Sequence, residues 1–404
     1  MQTEMRQTYL AHPDFQFDEQ PLKPDGDALA AFAAAFEQLR SSPHRLSRRS
    51  FAAQRSAATS AFERVFADLK AQVTDHYERR FLEELQSECG RLIGTEITTY
   101  RRRGKRGTAA NRPLPSSTDP ATLAEDRYCL GRLPAATVER VLDIAAADIA
   151  EFRRRAREGQ VSREDLSRNR GTDIQKIMHV LNRDFRRLGV NKALGAYMGT
   201  PMWVTGVAVE LSTSRAQWWK NEFEGVSRAP RTEYAHIDEG IGRPKAIVYL
   251  TEVGRDDGPT SCYPGVYEGL KLNPLQEIIG RVISNVGASA DSPLHDLYQR
   301  SYHQALSSDL IRRHFMLLPP ELRFNSHMGW DVLPDSRLEE SLTRAERVVS
   351  GDRGTFIAFD GGRLLHRGAM VRTGERISLQ VVFSAFYVPR TVPRLVKRLQ
   401  AGLR

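Results

Sequence analysis

The chain has 404 residues, enough to bury one large core or two modest ones. Its 40% hydrophobic and 27% charged residues are those of an ordinary globular protein, and no run approaches the roughly 20 apolar residues that span a bilayer. The net charge of +9, from 59 Lys and Arg against 50 Asp and Glu, is spread along the chain instead of gathering into a nucleic-acid-binding face.

In chain order, residues 25–40 are rich in Ala, with Phe32 and Phe36 four apart, which predicts a helix. A second helical region, broken once or twice, is expected over 50–92, where Phe62, Val65, Phe66 and Leu69 recur at helical spacing. Residues 100–118 carry RRRGKRG, then Pro113, Pro115 and two serines, and predict an exposed basic loop. Helical patterning returns at 135–157 and at 173–197, the latter introduced by the capping candidate Thr172. From Met202 the character changes. The segments 203–211, 232–237, 245–253, 354–359 and 377–387 are β-branched and apolar, as buried strands are. Between them, 269–347 reads as a mostly helical insert, with helices over 275–286 and 310–317. Helices first and short strands later predict an α+β protein, with a helical N-terminal region over 1–160 and a strand-built domain over 161–404. Gly-rich turns at 256–259 and 360–363 suit a β-sandwich or jelly roll.

The strand-rich part contains TEYAHIDEG. In an extended segment residues two apart project from one face, so His236 and Asp238 can reach one ion together. A second imidazole from a distant strand, His366, completes a two-histidine, one-carboxylate set, which suits Fe(II) and leaves positions open for cosubstrate and O2. Downstream, Arg376 and Ser378 share a strand face by the same period. A guanidinium beside a hydroxyl matches a planar carboxylate, so the expected ligand is a small dicarboxylate held at its far end.

Rival residues are weaker. His12 and Asp14 also form HxD, but in a polar segment without strand character. Glu239 would point away from His236, and His327 lacks a following Arg-x-Ser strand. Arg372 sits in a turn, where a solvated role fits better than anchoring a carboxylate. Tyr234 (toward substrate) and Tyr249 and Thr260 (toward the dicarboxylate) are pocket-lining candidates that could equally be packing residues. The pair Trp218 and Trp219, with Lys220, could cap a lid or simply anchor a loop.

These residues carry a family resemblance. The segments 234–265 and 356–386, about a third of the chain, resemble the phytanoyl-CoA dioxygenase-like branch of the Fe(II)/2-oxoglutarate oxygenases. The matching features are His236-Ile237-Asp238, the strand KAIVYLTEV, the turn Asp256-Asp257-Gly258, the pair Pro264-Gly265, and His366 followed by Arg376. The Pro-Gly pair is followed here by Val266 and Tyr267, where that family has a small residue and a histidine. The resemblance implies a double-stranded β-helix (jelly roll) core. It also implies iron on His236, Asp238 and His366, with 2-oxoglutarate anchored by Arg376 and Ser378. The reaction implied is O2-dependent oxidation of a C–H bond in a small molecule, possible in specialised metabolism, with release of succinate and CO2. Two other readings stay open at this point: an oxygenase acting on nucleic acid or protein, and a metal-binding jelly roll without turnover.

Cys89, Cys129 and Cys262 are odd in number and far apart, which argues against disulfides and against a zinc ribbon. With no apolar leader at the N-terminus, cytoplasmic residence is the expectation.

Overall fold

Apolar residues at a helical period fold the first described stretch of the chain into α1 (Gly26–Ser41), α2 (Arg48–Ala71) and α3 (His76–Arg106). These elements belong to a computed structural model that describes residues 21–41, 43, 45–106, 123, 125–160, 162–167, 173–217, 231–285, 291–294, 314–330 and 332–385. The Ser47 hydroxyl caps α2 by accepting from the Ser50 amide at 3.0 Å. Phe32 stacks on Phe36 at 5.2 Å, and Phe62 meets Phe66 at 5.0 Å, so the predicted spacing does form the helix-packing face. The expected basic loop at 100–118 is corrected over its first part. Residues 101–106 continue α3, because the five Arg and Lys residues favour helix and carry it through Gly104; residues 107–122 lie outside those described.

The next elements are β1 (Tyr128–Arg132), α4 (Ala135–Arg157), α5 (Arg163–Ser167), α6 (Ile174–Arg187) and α7 (Val190–Met198). The single helix expected over 173–197 is two, split at Gly189, whose φ of 80° is left-handed. Asp173 caps α6, and the predicted cap Thr172 lies outside the described residues. Then come β2 (Trp203–Thr213), β3 (Lys245–Tyr249), β4 (Thr260–Tyr263), α8 (Val266–Gly269), α9 (Pro274–Asn285) and α10 (Arg337–Ala345). The chain closes with β5 (Arg347–Val349), β6 (Thr355–Phe359), β7 (Leu365–Gly368) and β8 (Glu375–Ser384).

The strands form two antiparallel sheets, one in the order β1-β6-β3-β8-β2 and the other β5-β4-β7. Strand β1, inside the span expected to be helical, pairs along β6 from Tyr128↔Phe359 to Arg132↔Thr355. The strand expected at 232–237 is also corrected. Residues 231–234 turn, with Tyr234 at a φ of 64°, and extended pairing survives only as an isolated bridge between His236 and His366.

Alternation along β8 decides what each face of the large sheet does. Ile377, Leu379, Val381 and Phe383 join the core under α4, α6 and α7, where Phe185 lies 5.2 Å from Phe356 and 5.4 Å from Phe383. Arg376, Ser378 and Gln380 are set on the opposite face, toward the small sheet. Between the sheets Tyr249, Cys262, Val349, Ile357, Phe359 and Leu364 form a compact cluster. The outer side of the small sheet is covered by Phe324, Met328, Leu338 and Leu342. Helix α9 of the insert shares one core with α1, α2 and α3. Within it the fully buried Arg281 pairs with Glu96 and, at 3.1 Å, with Glu277. It also donates to the Glu239 carbonyl at 3.3 Å, one residue past Asp238.

Candidate metal centre

The backbone delivers His236 and His366 to each other. Their amides and carbonyls exchange hydrogen bonds of 2.8 and 3.0 Å, and their rings stand 4.3 Å apart. The Asp238 amide donates to the Gly361 carbonyl at 2.8 Å, which brings the turn after β6 against its carboxylate. On the other side, the Ile237 amide donates to Ser326 at 2.8 Å and the Gly329 amide to Ala235 at 2.9 Å. Residues 235–238 are thus held between β7 and the 326–329 segment. The ligand atoms of His236, Asp238 and His366 all lie within 4.8 Å of one another, the only such set found among the described residues. Each histidine Nε2 is 3.8 Å from one oxygen of the Asp238 carboxylate.

The tautomers follow from the neighbours. His236 Nδ1 lies 2.8 Å from the Tyr234 carbonyl, and His366 Nδ1 lies 2.8 Å from the Leu364 carbonyl. A carbonyl only accepts, so each Nδ1 carries the proton and each Nε2 presents a lone pair to the centre. Burial keeps both rings neutral: it pushes the His366 imidazole down to about 3 and lowers His236 as well. Burial works against the Asp238 charge, but the Lys245 ammonium, 2.6 Å from Oδ1, outweighs it and holds the carboxyl well below its usual range. Lys245 therefore takes Oδ1. Oδ2 is buried without a hydrogen-bond partner, and a Cβ placed on Gly361 would come within 1.9 Å of it. Two neutral imidazole lone pairs and an orphaned carboxylate oxygen are the donor set of a divalent transition metal. The donors fit one.

No protein-family model matches the chain, and no curated protein matches it. Among solved structures, the chain is similar to the non-heme alpha ketoglutarate dependent carbocyclase SnoK from nogalamycin biosynthesis, at 13% identity and a TM-score of 0.34, over 71% of this chain and 92% of that one. It is similar to EctD from S. alaskensis, crystallised with 2-oxoglutarate and 5-hydroxyectoine, at 13% identity and a TM-score of 0.34, over 66% of this chain and 74% of that one. AviO1 from Streptomyces viridochromogenes matches at 11% identity and a TM-score of 0.33, over 68% of this chain and 98% of that one. Likenesses this distant assign neither fold nor chemistry; those rest on the side chains themselves.

The residues expected to hold a dicarboxylate, Arg376 and Ser378, lie on the inner face of the large sheet. Arg376 and Ser378 are 4% and 2% exposed, and Ser378 pairs in register with Tyr249 of β3. The Arg376 guanidinium donates to the Gly258 carbonyl and, at 3.5 Å, to the Ser212 hydroxyl. The Tyr249 phenol donates to the Val349 carbonyl at 2.7 Å and accepts from the Thr260 amide at 2.7 Å, so it ties the two sheets together beside that arginine. Thr260 meets this group through its backbone. Tyr234 is buried, and its recorded bond at the centre is the backbone carbonyl that orients His236.

The rivals are placed elsewhere. The Glu239 carboxylate turns to Arg91, and Arg372 is exposed, 3.9 Å from Asp256. His327 stacks on His236 with ring centroids 5.1 Å apart, so it buttresses that ring's plane while standing outside the three-ligand set. His12, Trp218, Trp219 and Lys220 lie outside the described residues. Sequence reasoning missed Lys245 and Gly361. A signal for Lys245 was present: it shares a strand face with Ile247 and Tyr249, a charge on an otherwise apolar inward face. Gly361 carried no signal, because its demand is set by a carboxylate 123 positions away, 361 minus 238.

Proposed function

We propose that the chain is a non-haem Fe(II)/2-oxoglutarate-dependent oxygenase that oxidises a C–H bond of a small molecule. The observation that carries this reading is the convergence of His236 Nε2, His366 Nε2 and the orphaned Asp238 Oδ2 on one point, with each imidazole's other nitrogen tied to a carbonyl. The sheet orders, with the bridge from His236 extending the small sheet beyond β7, support a double-stranded β-helix. The 2-oxoglutarate place is supported by the buried Arg376 and Ser378 on the inner face.

With Fe(II) and 2-oxoglutarate bound, the centre supplies O2 activation coupled to release of succinate and CO2, and so oxidation of a nearby C–H bond. His236, Asp238 and His366 would hold the metal. Lys245 keeps Asp238 ionised, and the carbonyls of Tyr234 and Leu364 hold the imidazole protons away from the ion. Arg376 and Ser378 would take the far carboxylate of the cosubstrate. Phe359, 4.6 Å from the His366 ring, and Ile357 keep water from the inter-sheet side.

The test is succinate formation from 2-oxoglutarate by the Fe(II)-loaded full chain under air. Slow substrate-independent turnover is expected from the wild type and its loss from His366→Ala. No succinate from the wild type, or equal yield from the variant, overturns the reading.

A further inference from the structure

A polar cavity of about 300 Å³ lies apart from the residues proposed to hold the metal and cosubstrate. Its lining includes Arg40, Arg127, Tyr267, Lys271, Glu277 and Arg363, so it lies between α1, α8 and the turn that follows β6. That turn is the one that reaches the metal. Gly361 packs on Asp238, and Arg363 follows two residues later, its Cα within about 7 Å of Gly361 by chain length alone.

The charges do not cancel. Arg40 is neutralised by Glu37 and Glu277, each at 2.7 Å, and Arg127 is paired with Glu268 at 3.2 Å. Neither Lys271 nor Arg363 has a carboxylate at ion-pair distance among the described residues, although Asp360 and Glu277 lie close enough to stabilise the Arg363 guanidinium. Arg363 donates to the Tyr100 phenol at 2.9 Å and lies over that ring, while its Nε is shut off from water without a hydrogen-bond partner. Only four described residues other than glycine have positive φ, and two of them, Arg127 at 66° and Lys271 at 51°, are cations of this cavity. Arg127 is fastened to the same turn: its carbonyl accepts the Asp360 amide at 3.0 Å, and its guanidinium lies 5.8 Å from the ring of Tyr197, whose phenol donates to Asp360 at 2.8 Å.

We propose that this cavity is an oxyanion subsite in which Arg363 and Lys271 hold a carboxylate or phosphate group of the small-molecule substrate. The inference rests on the oxygenase reading for the identity of that substrate, but not for the existence of the anion site. Guanidinium and ammonium together suit an oxyanion. A volume of this size takes one such group with a short connector, not a macromolecule. The substrate's anionic end would thus be pinned one turn away from Asp238.

The probe is inorganic sulfate, titrated calorimetrically into the full chain with 2-oxoglutarate saturating. One sulfate per chain is expected, with affinity at least tenfold weaker in Lys271→Ala and in Arg363→Gln. Lys271 is exposed, so its variant keeps the test valid if Arg363→Gln unfolds. No binding to the wild type, or equal binding to a folded Lys271→Ala, overturns the site. The source of the anion is read by repeating the titration with and without Fe(II) and 2-oxoglutarate. A subsite of the substrate pocket is linked to the centre, so the affinities differ; equal affinities mark a separate effector site and overturn the substrate assignment. The visible charge-transfer band of wild-type protein with Fe(II) and 2-oxoglutarate reports on the metal centre alone, so its absence would defeat the oxygenase reading without touching sulfate binding.

Discussion

At the scale of single residues, the centre depends on exclusions as much as on ligands. Gly361 is required because a Cβ there would come within 1.9 Å of Asp238 Oδ2. Gly361→Ala is expected to fold, at a cost of about 1–3 kcal/mol of overpacking, and to weaken metal binding by roughly 10–100-fold, the usual effect of disturbing a ligand's support. Metal titration with parallel thermal melts checks both, and unchanged affinity would contradict the geometry. Arg376→Met removes the guanidinium from the inner face of β8 and should raise the 2-oxoglutarate KM by roughly 10–100-fold, from the loss of charged hydrogen bonds of about 1.5–3 kcal/mol. Succinate formation against 2-oxoglutarate concentration measures it; an unchanged KM would remove Arg376 from the pocket. The clustering of His236, Asp238 and His366 was legible in the sequence, since HxD and a distant His before Arg-x-Ser are short patterns. Lys245 and Gly361 were not read, because their roles are set by a carboxylate elsewhere in the chain.

At the scale of elements, the large sheet is positioned by its outer face. Asn182 of α6 shows how: its amide donates to the Val204 carbonyl at 3.0 Å, and its carbonyl accepts from the Val204 amide at 2.9 Å. That pairing stands where β2 slips register against β8, between Val204 and Gly206. Asn182→Ala would leave two backbone groups unmet and is expected to cost roughly 2–4 kcal/mol, read from denaturant unfolding; a change below about 0.5 kcal/mol would contradict this role. Long elements were the legible ones. The helix expected over 135–157 has those bounds in α4, because its apolar stripe runs over six turns. Strands β1, β5 and β7 have three to five residues each, too few to show a period. The extended run expected at 232–237 was broken by the backbone of Tyr234, a conformation its residue type does not announce.

At the scale of the whole molecule, α1, α3 and α9 meet around buried charges, and the Arg281 bond to the Glu239 carbonyl ties that helical core to the metal segment. Burial pushes the Glu277 carboxyl up, but Arg281 and Arg40 outweigh it and hold it below its ordinary value of 4.5. Its folded value is therefore the lower one, so its contribution is present above about pH 4.5 and is lost as pH falls through the folded value. Glu277→Gln should lower Tm at neutral pH and flatten the fall in Tm between about pH 5 and about pH 3; parallel curves for the two proteins would contradict this. The pairing of distant helices by one buried guanidinium was not legible, since Arg281 reads in the sequence as an ordinary helix residue. The central claim, however, concerns the three ligands. Its most direct measurement is anaerobic titration of the metal-free chain with Fe(II) and then 2-oxoglutarate, followed by visible absorption. One equivalent of iron and one of 2-oxoglutarate should raise a charge-transfer band that His236→Ala and His366→Ala fail to form. No band in the wild type, or an undiminished band in either variant, would contradict the account.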